Sequence, residues 1–332
     1  MNNPNIIFNR EMKIPAKIKQ ISIPKDKRVI CVSDIHGEVI LFKQLLTEVG
    51  YCADDVLMLL GDIYTKGSYP YETLKYCIEL SKFDNVHIIR GNTDWGNPIW
   101  GGSSWSTDDY STEEENKWLN NLPDILESEE YIFVHSGLTS MNLKEQYSAT
   151  TVKVNNFMEI SHKFDKWVVV GHWPVHHYCH KVYCANPIIN YEKKIISIDG
   201  GNVLAAGGQL NAFVILDNQF SYISLDSYPK LIITKPQSAS GGNISITYLD
   251  RFIEIINDDE QLCRVRHIET GRILDVPKSR IWVDKDGNTC ICDLATDYYL
   301  PCNEGDIVGV IEEFPNQIIA KLNGTIGWIK LE

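Results

Sequence analysis

The sequence predicts an α/β domain followed by a small all-β region, and three observations carry that prediction. From Val29 to about Leu225, short β-type runs alternate with helical stretches whose apolar residues recur every three or four positions. The β runs VICVS, VLMLL, VHIIR, YIFVH, WVVVG and IISID are almost continuously apolar, as strands buried on both faces of a sheet must be. From about Ile244 onward no helical pattern is left, and many short β runs follow one another.

Within the first region, EVILFKQLLTEVG and YETLKYCIELSKF have helix-like spacing and lie between early strands. Thr107–Glu115, TDDYSTEEE, reads as a solvated helix start with Ser/Thr capping and acidic residues in the first turn. LNAFVILDNQFSYISLDS reads as two antiparallel strands. The Pro/Ser/Gly stretch ITKPQSASGGN then reads as a linker. Beyond it, LCRVRHIETGRILDVPKSRI is a strand, a Thr-Gly turn and a strand. IIAKLNGTIGWIKLE repeats that plan around Asn-Gly, a strong hairpin signal.

Composition narrows the classes of function. At 332 residues there is room for two or three domains with real cores. The net charge of −13 argues against non-specific binding to nucleic acid or anionic lipid, which needs clustered Lys and Arg. No run has the length of uncharged apolar sequence that spans a bilayer, and the N-terminus lacks a secretory h-region. Nine scattered cysteines without a Cys-x-x-Cys pair suit reduced thiols, so a cytoplasmic location is expected.

Polar residues of metal-binding type follow five of the apolar runs. CVSDIHGE supplies Asp34 and His36, LLGDIYTKG Asp62, IRGNTD Asn92, FVHSGL His135 and VVVGHWPV His172. Taken singly, each is an ordinary turn residue or hydrogen-bonded core histidine. Together, carboxylate, imidazole and amide oxygen suit Mn, Fe or Zn, whereas a purely structural zinc site would need thiolates. In open α/β sheets, ligand sites lie beyond the strand ends, where these residues fall.

In that order, SDIHG, GDIYTKG, GNTD, VHSG and GHWPV resemble the five motifs of the calcineurin-like metallophosphoesterases. The bacterial protein phosphatases and symmetrical dinucleoside polyphosphate hydrolases are the nearest branch, and the resemblance covers about Val29 to Asp226. It implies a four-layered α/β/β/α sandwich and two divalent metal ions, Mn first, with Fe or Zn as alternatives. One ion would be held by Asp34, His36 and Asp62; Asp62 would bridge to a second held by Asn92, His135 and His172. A metal-bridging hydroxide would attack phosphorus in line. The implied substrates are a phosphorylated small molecule, a nucleotide or a phosphoprotein. A phosphomonoesterase is the first reading, hydrolysis of a dinucleoside polyphosphate or other nucleotide anhydride the second, and a metal-holding scaffold the reading of another class.

Two departures from the pattern carry information. Where the family has Asp-Arg-Gly and Gly-Asn-His-Glu/Asp, this chain has Thr65-Lys66-Gly67 and Gly91-Asn92-Thr93-Asp94. In relatives that Asp and His pair to protonate the leaving group, so both partners are missing here and the general acid is unknown. Lys66 stands where a phosphate-binding Arg would be, as a point charge in place of a bidentate fork. Asn92 and Thr93 are the remaining phosphate-facing candidates. No Arg lies between His135 and His172, so a second phosphate clamp has no arginine to build it. His176 and His177, with His180, Cys179 and Cys184, are weak candidates for a replacement acid or third metal site; the alternative is an ordinary loop. The aromatic run Trp95–Tyr110 either stacks a nucleobase or covers packing.

YYLPCNEGDIVGVIEE, an acidic Gly-Asp turn followed by an alternating strand, resembles an SH3-like barrel when joined to the Asn-Gly hairpin. The expected division is a catalytic domain at 1–232, a linker at 233–243, and SH3-like modules at 244–283 and 284–332. A protein partner held by this tail is one expected role, although the paired Trp of peptide-binding SH3 domains is absent.

Overall fold

The computed structural model describes residues 14–94 and 112–331. The chain divides into two compact units. The first runs through Trp173 and takes back Pro187–Asp199 and Ala212–Ile223; the second holds Pro174–Asn186, Gly200–Asn211 and the chain from Ser224.

The first unit is mixed α/β. Its elements begin with β1 (Ile18–Gln20), β2 (Val29–Val32), α1 (Val39–Glu48), β3 (Val56–Leu59), α2 (Pro70–Leu80) and β4 (Val86–Ile88). They continue through α3 (Glu113–Asn121), β5 (Ile125–Glu127), β6 (Tyr131–Val134), α4 (Ser148–Thr151), α5 (Phe157–Ile160) and β7 (Trp167–Val170). After β8 (Tyr183–Cys184), which belongs to the second unit, come β9 (Ile188–Asn190), β10 (Ile195–Ser197), β11 (Leu210–Leu216) and β12 (Gln219–Leu225).

Both helical stretches read from spacing are present. α1 buries Val39, Phe42, Leu45 and Leu46 on one stripe. α2 starts with Pro70 at its first turn, where the missing N–H costs nothing, and buries Leu74, Cys77 and Leu80. α3 opens with Thr112 and Glu115 in a reciprocal capping box, with Glu113–Glu115 filling the first turn.

Two sheets result, in the orders β1-β5-β6-β7-β10-β9 and β12-β11-β2-β3-β4. In the second, β2, β3 and β4 run parallel; in the first, β6, β7 and β10 do. β11 and β12 are neighbours joined by Asp217-Asn218, both left-handed, which is the turn that matches strand twist. One apolar cluster takes Val29, Met58 and Phe213 from one sheet and Leu126, Phe133, Val169 and Ile196 from the other. Strands β2, β3 and β6 are buried at every residue, which is why they read as unbroken apolar runs.

The second unit is β-rich. It contains β8 and, in chain order, β13 (Lys230–Ile232), β14 (Ser245–Ile246), β15 (Ile253–Asp258), β16 (Leu262–His267) and β17 (Ile273–Pro277). β18 (Ile281–Val283), β19 (Thr289–Ile291), β20 (Ala295–Thr296), β21 (Ile307–Phe314), β22 (Gln317–Leu322) and β23 (Thr325–Lys330) complete it. The two hairpins read from sequence are β16–β17 and β22–β23, the latter turning on Asn323-Gly324 with both residues left-handed. The larger sheet runs β13-β21-β22-β23-β8. Separate apolar clusters form around Val308, Ile318 and Ile329 and around Val265, Leu274 and Ile291.

The 233–243 stretch is tied to this unit. Ile233 is buried, and Gln237 bonds the backbones of Leu300, Cys302, Trp328 and Lys330. Pro, Ser and Gly make that stretch irregular, while its bonds with neighbouring strands hold it. Among the described residues, no helix is long and apolar enough to cross a membrane.

Candidate metal centre

Five parallel strands deliver the six ligand-type residues at their carboxyl ends. β2 leads to Asp34 and His36, β3 to Asp62 and β4 to Asn92; β6 leads to His135 and β7 to His172. Backbone bonds carry the ladder past the strands: Asp34 N–H donates to Gly61 O, His36 N–H to Asp62 O, and Gly171 N–H to His135 O. All six residues belong to the first unit.

The backbone bends sharply to present them. Asp34, His36, Asp62 and His172 have φ of 55°, 48°, 51° and 64°, in the left-handed region that disfavours side chains. Four such residues at one place indicate strain held by surrounding structure for a purpose. Glycine makes the close approach feasible. A Cβ on Gly171 would meet Ser33 Oγ at 1.9 Å and Asp34 Oδ2 at 2.4 Å; one on Gly91 would meet Asp62 Oδ1 at 2.2 Å. Gly171→Ala is therefore expected to destroy divalent-ion binding and to cost about 1–3 kcal/mol of stability or more. Calorimetric titration with Mn and a urea melt check both parts.

Ligand atoms of Asp34, Asp62 and His135 lie within 4.8 Å of one another, and no other group of three or more His, Cys, Asp or Glu converges so among the described residues. The crowded His176–Cys184 segment does not supply a further cluster of that kind. His36 Nε2 is 3.7 Å from both Asp34 Oδ1 and Asp62 Oδ2, and His135 Nε2 is 3.4 Å from Asp62 Oδ1. Asp34 Oδ1 and His36 Nε2 are buried with no hydrogen-bond partner among the described residues. Two buried, bondless lone pairs facing each other are what a shared cation would satisfy.

The second triad is prepared by hydrogen bonds behind it. His135 Nδ1 sits 2.7 Å from the Leu60 carbonyl, which can only accept, so Nδ1 carries the proton and Nε2 is a bare lone pair. His172 Nε2 sits 3.0 Å from Asn155 Oδ1, which leaves its Nδ1 bare. Both bare nitrogens face Asn92, whose amide lies 3.2 Å from His135 Nε2 and 2.7 Å from His172 Nδ1. With its nitrogen inward, Asn92 donates to those lone pairs and to Val152 O, while its oxygen accepts from Thr93 N–H. With its oxygen inward, three lone pairs meet with no proton between them, and that arrangement needs a cation. Asn155→Ala frees the His172 ring and is expected to weaken Mn binding roughly 10–100-fold, as read by calorimetry.

Electrostatics agree with ligation. Burial holds His36 down to about 3 and, with His135 beside it, holds His172 well below the usual imidazole range. Both rings are therefore neutral, as metal ligands must be. Burial pushes Asp34 up to about 6. It acts the same way on Asp62, but His135, His36 and Lys66 together hold that carboxyl below its ordinary value. Asp62 Oδ1 also accepts Thr93 N–H at 2.8 Å.

Other predicted residues are placed as follows. Thr65 and Thr93 have hydroxyls that are buried and make no hydrogen bond among the described residues. Lys66, with φ of 83°, lies close enough to act on His36, Asp62 and His172 electrostatically. His176 and His177 belong to the second unit. There His176 stacks on Tyr183 at 4.9 Å, and Tyr248 N–H donates to His177 Nδ1. Burial holds His176 well below the ordinary range and His177 down to about 4, so neither stores a proton near neutral pH. The Trp95–Tyr110 run lies outside the described residues.

Three contributors carried no signal of their own. Asp94, inside the Gly-Asn-Thr-Asp block, accepts Ile63 N–H and Gly91 N–H, both at 2.9 Å, and so clamps the ends of β3 and β4 together. Burial, reinforced by Asp62, pushes it up to about 7. Asn155 and Lys153 lie in a stretch with no motif. A cavity of about 410 Å³ lined by Ile23, Tyr131 and Ile215 opens at the amino ends of β2 and β6 and holds none of these ligand groups.

Comparison with known proteins agrees with the strand-end motifs. The family described as Calcineurin-like phosphoesterase matches residues 27–204, more than half of the chain. No protein of curated function matches the sequence. Among solved structures, a candidate diadenosine tetraphosphatase is similar at 19% identity, covering 63% of this chain and 98% of its own, with a TM-score of 0.46. A metallophosphoesterase from Sphaerobacter thermophilus is 17% identical, covering 60% and 88%, with a TM-score of 0.41. The cold-active protein-tyrosine phosphatase of a psychrophilic Shewanella species is 15% identical, covering 68% and 87%, at 0.41. Likenesses this distant do not bear on substrate.

Proposed function

Because the chain belongs to the calcineurin-like phosphoesterase family, a family of metal-dependent phosphoester hydrolases, we propose that it is a phosphomonoesterase working with two divalent ions, Mn first, on substrates whose leaving group needs little protonation. The observation that carries this reading is the convergence of Asp34, His36, Asp62, Asn92, His135 and His172 from five strand ends, with the imidazole protons turned outward. Asp34, His36 and Asp62 would hold one ion; Asn92, His135 and His172 would hold the other, with Asp62 between. Such ions supply Lewis acidity and an activated water near neutral pH.

The chain's own groups do the rest. Thr93 N–H and the paired imidazoles keep Asp62 ionised and oriented. Lys66 and the Thr65, Thr93 and Asn92 side chains bind the phosphoryl oxygens. Burial of Asp34, His36, Asp62 and His135 keeps bulk water from them, which strengthens each of these interactions. With Thr at 65 and 93, no side chain of useful pKa stands at the family's acid positions. The same observation supports the second reading, cleavage of a nucleotide anhydride, since phosphate and nucleotides also leave without an acid. On this reading the first unit is the four-layered sandwich of the family, the tail's strands form SH3-like modules that hold a protein partner, and the enzyme works in the cytoplasm.

Metal content measured together with hydrolysis of p-nitrophenyl phosphate tests the proposal. Mn-dependent turnover is expected. Bound metal without cleavage of any phosphoester would favour a scaffold in place of an enzyme.

A further inference from the structure

The loop after α4 is pinned against the strand end that carries His135. Ser136 N–H and Oγ both donate to Thr151 O at 2.9 Å, and Ser136 Oγ accepts Val154 N–H at 2.7 Å. The pinned segment touches the second triad at two points: Val152 O is 3.3 Å from the inward atom of the Asn92 amide, and Asn155 Oδ1 is 3.0 Å from His172 Nε2. Lys153 stands between these two contacts in the chain. It is exposed, yet its ammonium lies near enough to Asp62, Lys66 and His172 to interact with each. Partial burial pulls Lys153 below the usual lysine value; Asp62 opposes it, and the smaller effect of the like charge of Lys66 adds to it.

Lys66 and Lys153 thus come from loops on two different sheets, after β3 and after α4, and both act on Asp62. Held there, the two ammonium groups repel each other. An anion placed between them relieves that repulsion, and a doubly charged anion relieves it more than a singly charged one. Asp34 and Asp62 are the two carboxylates in the ligand set, so two divalent ions would leave the centre positive and add to the same preference.

We propose that Lys153 is a phosphate-binding residue that, with Lys66, selects the dianionic terminal phosphoryl group of a monoester over the monoanionic group of a phosphodiester. This rests on the phosphoesterase reading and gives the site the second clamp that the missing arginine had seemed to deny it.

Two substrates with the same leaving group isolate the charge: p-nitrophenyl phosphate and bis(p-nitrophenyl) phosphate, assayed with the Mn-loaded full chain. Lys153→Gln is expected to lower kcat/KM on the monoester roughly 10–100-fold, the range for losing a charged hydrogen bond, and on the diester no more than about 3-fold. Lys153→Arg should restore most of the difference. Orthophosphate titrated calorimetrically at pH 8 into the same proteins should bind about 10-fold or more weakly to the glutamine variant. Since Lys153 is exposed, both variants should keep the wild-type Tm. Equal loss on both esters with unchanged orthophosphate affinity, or no loss on either, overturns the proposal while leaving the enzyme a phosphoesterase. A wild-type chain that shows no Mn-dependent cleavage of either ester overturns the phosphoesterase reading, and this proposal with it.

Discussion

Asp62→Asn is expected to reduce Mn-dependent hydrolysis about 10³-fold or more and to remove the rise in Tm that Mn gives the wild type. The two halves of that result have one cause. Asp62 is 2% exposed and lies 3.7 Å from His36 Nε2 and 3.4 Å from His135 Nε2, so each half of the centre depends on its charge. On the proposed reading, removing that charge takes away a ligand common to both ions and the counter-charge that holds them together. Without metal the charge is still held in place: His135, His36 and Lys66 keep the Asp62 carboxyl below its ordinary value, so the folded chain favours its ionised form even though it raises the pKa of Asp34 and Asp94. Thermal melts with and without Mn, beside initial rates, measure both halves. An apo Tm lowered by many degrees would indicate that Asp62 serves mainly to hold the loops together.

The second large effect concerns the leaving group. With Mn and saturating enzyme, aryl phosphates, phosphotyrosine included, should turn over roughly 10²–10⁴-fold faster than phosphoserine peptides, the usual contribution of a general acid. The reason lies at Thr65 and Thr93. Their hydroxyls are buried and without hydrogen-bond partners among the described residues, and on the proposed reading they donate hydrogen bonds to phosphoryl oxygens. They are not placed to surrender a proton, because a hydroxyl has no useful pKa as an acid. His176 and His177 do not fill the gap, since burial keeps both unprotonated at neutral pH. Equal rates on seryl and aryl phosphates would show that an acid does act in this site. Thr93→His together with Thr65→Asp would then be the natural comparison, as it restores the family's own pair.

Much of this was legible in the sequence, for identifiable reasons. The buried strands announced themselves because β2, β3 and β6 are buried at every residue, which removes the polar alternation that would blur them. Asn323-Gly324 and the Thr-Gly turn marked their hairpins because few residues tolerate positive φ. The candidate ligands stood out because five such blocks follow apolar strands in one chain order, although each polar residue taken singly could be an ordinary turn or core residue. What stayed hidden depends on contacts between distant segments. Asn155 is one of two adjacent asparagines in an unremarkable loop, and only the fold shows which of them reaches His172. Lys153 was invisible for a related reason: a search for arginines between His135 and His172 passes over a lysine with no motif around it. The ties of Gln237 to Leu300, Trp328 and Lys330 could not be read from a stretch whose composition is that of a linker.

The division of the chain has a consequence for how this protein can be made and altered. The polypeptide passes from one unit to the other after Trp173, Asn186, Asp199, Asn211 and Ile223. β8, which lies early in the second unit, finds its hydrogen-bonding partner in β23, where Tyr183 pairs with Ile326 and Cys184 with Thr325. During synthesis, therefore, β8 leaves the ribosome early and must wait, unpaired, for nearly the whole of the rest of the chain before its sheet can close. No single cut frees an intact minimal enzyme. The two units are woven from one thread, so they must be inherited, expressed and recombined as a whole.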